Sequence, residues 1–105
     1  AIQNAKQEKL ITLMGGDESP TALLLADGKG TSDLSLFAQA DMASIQLNAT
    51  KHKSNALMAC LGDGRPLLAL THKEKLRLRG MTAEDGTPEL ILLNEKKEAT
   101  WRAGK

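Results

Sequence analysis

Residues 63–78, DGRPLLALTHKEKLRL, contain in one stretch the pattern that decides the fold. An Asp-Gly turn signal and a proline lead into an aliphatic pair at Leu68 and Leu70. A lysine-rich segment then leads to a second pair at Leu76 and Leu78. Apolar residues at alternate positions are typical of a strand, because successive strand side chains point to opposite faces. The stretch therefore predicts strand, turn, strand.

The first aliphatic pair recurs along the chain at intervals of 22, 23 and 22 residues. Its copies are Leu23/Leu25, Ile45/Leu47, Leu68/Leu70 and Leu90/Leu92. A second apolar pair or its remnant follows each copy: Leu34/Leu36, Ala56/Met58, Leu76/Leu78 and Trp101. A fixed period of this length indicates a repeat architecture. We predict an all-β fold of four units of ~22 residues, each strand, turn, strand, turn.

Several predicted strands are apolar on both faces, at residues 22–26, 56–61, 67–70 and 90–93. Such strands need cover on both sides, and a chain of 105 residues supplies only one small core. Self-association would cover these strands with neighbouring chains. We therefore expect a β-solenoid or β-prism-like stack that forms an intertwined, parallel homotrimer around an aliphatic core. The single-chain alternative is a small eight-stranded meander barrel.

The two ends of the chain differ from the repeat. Residues 1–9 are polar and predict a lead-in that is a short helix or disordered, whereas residues 10–105 form a single β-repeat domain with a charged C-terminal cap around Trp101. The chain begins at Ala1 without Met, so we leave the compartment open: cytoplasmic, or extracytoplasmic if an upstream anchor was removed. No apolar run approaches the ~18 residues of a membrane helix, so we expect no membrane insertion within this chain.

Lysines concentrate in the turns that follow the aliphatic pairs. The candidate ligand-binding residues there are Lys29, Lys51, Lys53, Lys73 and Lys75, and Lys96 and Lys97 occupy the last such turn. If the units stack in register, these turns form one basic edge that could bind a polyanion. Glutamates interrupt the run and the net charge is only +1, so there is no specific nucleic-acid signal. Solvated turns whose charge prevents aggregation are the plainer interpretation.

Aspartates recur in the turns that precede the aliphatic pairs, at Asp17, Asp41, Asp63 and Asp85. Oxygen-rich turns can bind Ca²⁺, which makes these residues the candidate metal ligands. Each turn, however, offers only one or two carboxylates, and none has the spacing of an EF-hand loop. We therefore expect ordinary Asp-Gly turns and no metal, with calcium at an acidic edge as the alternative.

The remaining reactive side chains form no catalytic pattern. Cys60 lies in an apolar run and is expected to be a small buried hydrophobe. His52 and His72 are expected to be exposed turn residues, unless a threefold axis brings three copies of one of them together. No serine or cysteine has a histidine and a carboxylate at a recognised spacing. We expect no enzymatic activity and no cofactor.

The unit as a whole resembles a known type of sequence. Leu23-Leu-Leu25-Ala-Asp27-Gly-Lys29 and residues 85–96, DGTPELILLNEK, carry the likeness. The chain resembles bacterial proteins of unknown function that are built from short repeats of leucine pairs, Asp-x-x-Gly-Lys turns and Asp-Gly-x-Pro turns. Such proteins often follow a coiled-coil or membrane-anchored N-terminus and end on a tryptophan. The resemblance implies a displayed β-repeat and transfers no active site.

These observations favour a non-enzymatic structural or surface-display module, such as a stalk, a spacer or an adhesion-type surface. It would act through the shape of its oligomer and through its charged turns. The alternative is a binding module for a polyanion or small ligand, held at clefts between subunits or along the basic edge.

Overall fold

The chain forms a single antiparallel β-sheet in a computed structural model that describes residues 2–3, 9–15 and 21–104. Its ten strands in that part of the chain are β1 Ile2–Gln3, β2 Lys9–Met14, β3 Thr21–Ala26, β4 Asp33–Gln39, β5 Met42–Ala49, β6 Ser54–Cys60, β7 Pro66–His72, β8 Lys75–Thr82, β9 Pro88–Leu93 and β10 Ala99–Gly104. The described residues contain no α-helix, only a 3-10 turn at Thr50–His52. None of them forms a helix long and apolar enough to cross a membrane.

The strand order is a simple meander, in which each strand pairs with its neighbours in sequence. Short turns return the chain beside the strand just completed, which produces antiparallel neighbours without a crossover. The all-β prediction is confirmed, and so is the meander of the single-chain alternative. The stacked solenoid is not formed. The predicted barrel closure is also absent, because among the described strands β10 pairs only with β9 and the sheet stays open.

The sheet is one layer thick. Its Cα atoms span 50 × 34 × 13 Å, and no second layer of described residues packs on either side. In the part of the chain that the structure describes, only Ala22 and Ile91 are buried hydrophobic residues, at 4% and 3% exposure. The cover that the apolar strands require is therefore not supplied by these residues themselves.

A β-bulge corrects one element of the predicted repeat. Leu70 pairs with Leu78, but Thr71 pairs with Leu76, so the register shifts at Arg77. Leu76 consequently no longer follows the two-residue alternation of the strand, whereas Leu78 and Gly80 do. The Arg77 guanidinium Nε donates a hydrogen bond of 2.8 Å to the Leu93 carbonyl oxygen on the neighbouring strand. Bulges of this kind re-aim side chains, and spacing alone did not reveal it.

Both chain ends differ from expectation. Ile2–Gln3 is a strand that pairs with β2, not part of a helix, and the other residues of the predicted lead-in before Lys9 lie outside the described residues. The domain is already a strand at Lys9. The charged C-terminal segment around Trp101 contains β10, which pairs with β9 at one side of the sheet.

The turn between β6 and β7 provides a matched test of backbone conformation. Gly64 has φ = +88°, and its amide donates a 2.8 Å hydrogen bond to the Leu61 carbonyl, whereas Gly62 in the same turn has no positive φ. A Cβ would contact nothing within 4 Å at either position. We expect Gly64→Ala to lower the free energy of unfolding by ~1 kcal/mol, because an L-residue is strained at that φ. Gly62→Ala should leave it unchanged or raise it by up to ~1 kcal/mol. Urea unfolding of both variants measures this, and equal effects would contradict it.

Candidate functional site

The leucine pairs converge on one face of the sheet. Residues directly opposite each other on neighbouring strands share a face, so the register defines two continuous rows. The first row is Leu13, Leu23, Leu36, Ile45, Met58, Leu68, Gly80, Leu90 and Ala103. The second row is Ile11, Leu25, Leu34, Leu47, Ala56, Leu70, Leu78, Leu92 and Trp101. We call these two rows the aliphatic stripe.

The aliphatic stripe is exposed. Eleven large hydrophobic residues of the described chain are exposed, and eight of them lie on the stripe: Leu13, Leu36, Ile45, Leu47, Met58, Leu68, Leu70 and Trp101. Met58 is 58% exposed although it lies in a central strand. Single exposed apolar residues are common, but a contiguous apolar surface marks an interaction site. The stripe is therefore the leading candidate functional surface of the molecule.

The opposite face is mixed in character. It carries both buried hydrophobic residues, Ala22 and Ile91, beside polar side chains. Glu89 on that face lies 3.5 Å from the Arg79 guanidinium and 3.9 Å from that of Arg102, measured between nitrogen and oxygen atoms. Exposed ion pairs of this kind stabilise little, but they keep the face hydrated. Only one face of the sheet is thus uniformly apolar.

A shallow groove crosses the aliphatic stripe near one end of the strands, from β5 to β10. Gly80 lies between Leu68 and Leu90 in its floor, where a Cβ would make ordinary contacts of 3.5 Å to Leu90 Cδ1 and 3.8 Å to Leu68 Cβ. The glycine is therefore not required by backbone strain, and it leaves a hollow in the stripe. Cys60 also lines the groove and is exposed, which corrects the expectation of a buried thiol. The sequence offered no signal for this hollow, because it depends on which residues lie opposite Gly80.

The meander gathers the predicted basic turns at one end of the strands. The turns after β3, β5, β7 and β9 all lie there, and they carry Lys29, Lys51, Lys53, Lys73 and Lys75 as well as Lys96 and Lys97. We call residues 27–32, 50–53, 72–75 and 94–98 the lysine end. Its seven lysines are accompanied by four carboxylates, for a formal net charge of +3. The Lys53 Nζ lies 3.2 Å from a Glu74 carboxylate oxygen, so part of this charge is compensated locally.

The acidic turns lie at the other end of the strands. Residues 40–41, 61–65 and 83–87, the aspartate end, contain Asp41, Asp63, Glu84 and Asp85 with one arginine, for a net charge of −3. Asp17, the remaining candidate metal ligand, lies outside the described residues. No group of three or more potential metal ligands occurs among the residues the structure describes. Calcium binding at this end stays a prediction without support from the geometry.

The aspartate carboxylates of these turns accept hydrogen bonds from backbone amides. The Asp63 carboxylate accepts a 3.1 Å hydrogen bond from the Arg65 amide, and the Asp85 carboxylate accepts one of 2.9 Å from the Thr87 amide. Such Asx turns explain why aspartate recurs there. These backbone hydrogen bonds hold the pKa of both carboxyls below the ordinary value of 3.8.

Asp27, at the lysine end, is used in the same way and was not recognised from the sequence. Its carboxylate accepts hydrogen bonds from the Thr31 hydroxyl, from the Thr31 amide at 2.8 Å and from the Ser32 amide at 3.1 Å. The pKa of this carboxyl is lowered, first by the Thr31 side chain and then by the Ser32 amide. The carboxylate thereby closes the turn between β3 and β4. The Asp-x-x-x-Thr spacing is the signal that could have found it.

Both histidines are at the lysine end. His52 is exposed in the turn between β5 and β6, and His72 is exposed at the end of β7. Neither belongs to a cluster with other potential metal ligands in the described part of the chain. Their expected exposure is confirmed, and a site on a symmetry axis stays a prediction.

The three lowered pKa values predict how stability depends on pH. A carboxyl whose pKa is lower in the folded than in the unfolded state stabilises the fold above its unfolded pKa, and that stabilisation is lost as the pH falls through the folded pKa. Compared with the triple variant Asp27→Asn, Asp63→Asn, Asp85→Asn, which retains oxygen acceptors but cannot titrate there, the wild type should lose stability more steeply below about pH 4. Thermal melts between pH 6 and pH 2 measure the gap in melting temperature between the wild type and the triple variant. A gap independent of pH would contradict this account of the turns.

Comparisons of the chain with models of protein families, with curated proteins and with solved structures give no match. The resemblance to bacterial repeat proteins, inferred from leucine pairs and Asp-Gly turns, therefore stays a prediction. The function has to be argued from the surfaces of this chain, and these are the aliphatic stripe, the lysine end and the aspartate end.

Proposed function

We propose that this chain is a non-enzymatic structural module, a stalk, spacer or adhesion-type display domain, whose copies assemble through the aliphatic stripe. The single observation that carries the proposal is the exposure of the stripe along a sheet only one layer thick. A sheet with one apolar face is stable in water when that face packs against another layer. A second copy of the same chain supplies such a layer, because its own stripe is equally apolar.

The size of the face supports this assignment. The stripe runs across nine strands, which at ~4.8 Å per strand gives a continuous apolar length of about 40 Å along the 50 Å dimension of the sheet. Burial of apolar surface is favourable by ~25 cal/mol per Å², and that surplus offsets the entropy lost on association. The stripe therefore suits a lasting assembly.

The width of the stripe favours three copies. It is only two large side chains wide, whereas the strands are mostly six to eight residues long. Two sheets packed as a sandwich bury their inner faces along most of each strand. Three stripes that meet along one axis bury two side chains per strand from each copy and leave the strand ends in solvent. We accordingly propose a parallel homotrimer with a prism-like cross-section.

The character of the surfaces supports a structural role over catalysis. The groove is lined almost wholly by aliphatic and small residues, such as Ile45, Leu68 and Ala43. Sites that bind and transform small molecules add a few convergent polar groups to such a lining. Glu89 is the one charged residue in the described lining, and it lies on the opposite face beside Arg79 and Arg102.

A second candidate function is polyanion or small-ligand binding at the lysine end. The observation that favours it is the collection of Lys29, Lys51, Lys53, Lys73 and Lys75 at one end of the strands. Four carboxylates in the same turns reduce the net charge available to a polyanion. Salt-sensitive retention on a heparin column would favour this function, because phosphate and sulfate contacts weaken as salt rises.

The assembly surface is tested by two matched leucines. Leu36 on the aliphatic stripe and Leu24 on the opposite face lie on adjacent strands, and both are 37% exposed. We expect Leu36→Asp to reduce the solution mass to that of one 11.3 kDa chain, because it places a charge in the buried interface. Leu24→Asp should leave the mass near three times that value. Light scattering coupled to size exclusion measures both.

The matched pair separates assembly from folding. Because the substitution and the starting exposure are the same, any direct cost to the sheet should be similar in the two variants. A monomeric wild type would refute self-assembly. Equal behaviour of the two variants would refute the stripe as the interface, and circular dichroism verifies that both remain folded.

A further inference from the structure

We infer that the lysine end of each copy lies beside the aspartate end of the next copy, so that the charged turns fix the orientation in which the stripes assemble. The inference rests on the proposed function, since it requires copies that meet through the aliphatic stripe. It goes further by assigning a role to the charged turns and a direction to the symmetry axis.

The two ends are matched in charge. The lysine end carries a net +3 and the aspartate end a net −3, although the whole chain carries only +1. The meander produces this separation, because alternate turns lie at opposite ends of the strands. Each copy is therefore polar along its strand direction.

Symmetry limits how two such polar sheets can meet. A rotation axis parallel to the strands lays lysine end on lysine end, which places like charges together. An axis across the strands, parallel to the 50 Å dimension of the sheet, sets the lysine end of one copy against the aspartate end of its neighbour. Complementary potentials suppress wrong orientations. A threefold axis of this second kind closes the ring with one such contact at each corner.

The positions of the turns along that axis also allow each acidic turn to lie near basic turns of the neighbouring copy. Lysine-end turns follow β3, β5, β7 and β9, whereas aspartate-end turns follow β4, β6 and β8. Rotation about the axis keeps each strand at the same height in every copy. Each acidic turn therefore falls midway between two basic turns of its neighbour, offset by one strand spacing of ~4.8 Å. That offset is shorter than the screening length of ~8 Å at physiological ionic strength.

The charges that suit this contact are those without a local partner. Within the described part of the chain, ion pairs already join Lys53 to Glu74 and Arg65 to Asp63. Lys51, Lys75, Asp41 and Glu84 are exposed and make no ion pair with other described residues. By height, Asp41 of one copy lies next to the turn that holds Lys51 of its neighbour, and Glu84 lies next to the turn that holds Lys75.

A charge-reversal cycle tests the inference. The first variant carries Lys51→Glu and Lys75→Glu, the second carries Asp41→Lys and Glu84→Lys, and the third combines all four substitutions. Analytical ultracentrifugation at ~20 mM and ~1 M salt gives the dissociation constants, and circular dichroism verifies the fold. At low salt we expect each double variant to dissociate at about tenfold or more higher concentration than the wild type, and the fourfold variant to recover. At ~1 M salt the differences should shrink, since the screening length falls to ~3 Å.

The outcomes distinguish this inference from the proposed function. A wild type that stays monomeric refutes both. A wild-type oligomer that responds to Leu36→Asp but is unaffected by charge reversal at low salt refutes only the orientation. Two weakened double variants with no recovery in the fourfold variant also refute it, because the loss then does not come from contact between the lysine end and the aspartate end. A first variant that keeps its oligomer but loses retention on heparin assigns the lysine end to a polyanion instead.

Discussion

Antiparallel pairing of neighbouring strands is the constraint on which the rest of this structure depends. Two rows of mainly apolar residues lie opposite one another from β2 to β10, with Gly80 in place of a leucine on β8, so most of the apolar pattern appears on one face. Backbone hydrogen bonds hold the strands together, but they cannot cover that face. A layer one strand thick buries only two described hydrophobic residues. Neighbouring strands of the described sheet are thus fully paired with each other, whereas the apolar face has no layer packed on it.

The turns make that register possible and also determine the surface chemistry. Asp63 and Asp85 close turns through their carboxylates, and glycines at positive φ complete them. Because the units are repeated and the strands alternate in direction, each kind of turn falls at its own end of the sheet. A chain with almost no net charge thereby acquires a strong charge separation. Local turn chemistry and long-range electrostatics have the same origin here.

The two surfaces contribute to the proposed assembly in different ways. An aliphatic stripe provides affinity without direction, since burial of apolar area is not directional. Charged ends add little affinity in solvent but distinguish one orientation from another. The proposed structural role requires both properties, because it depends on the shape and polarity of the assembly. The groove at Gly80 and the exposed Cys60 are part of the same apolar face and need no separate ligand to explain them.

The sequence by itself determined the strands from β3 to β10, the period of the repeat and most of the stripe, because alternation of apolar residues depends only on the two-residue period of a strand. It also located the basic and acidic turns. It did not decide between a solenoid, a barrel and an open meander, since that alternation is the same in all three. The bulge at Arg77, the hollow at Gly80 and the hydrogen bonds of the Asp27 carboxylate were seen only in the tertiary structure. They depend on which residues lie opposite one another or fold back locally, and register and turn geometry decide that.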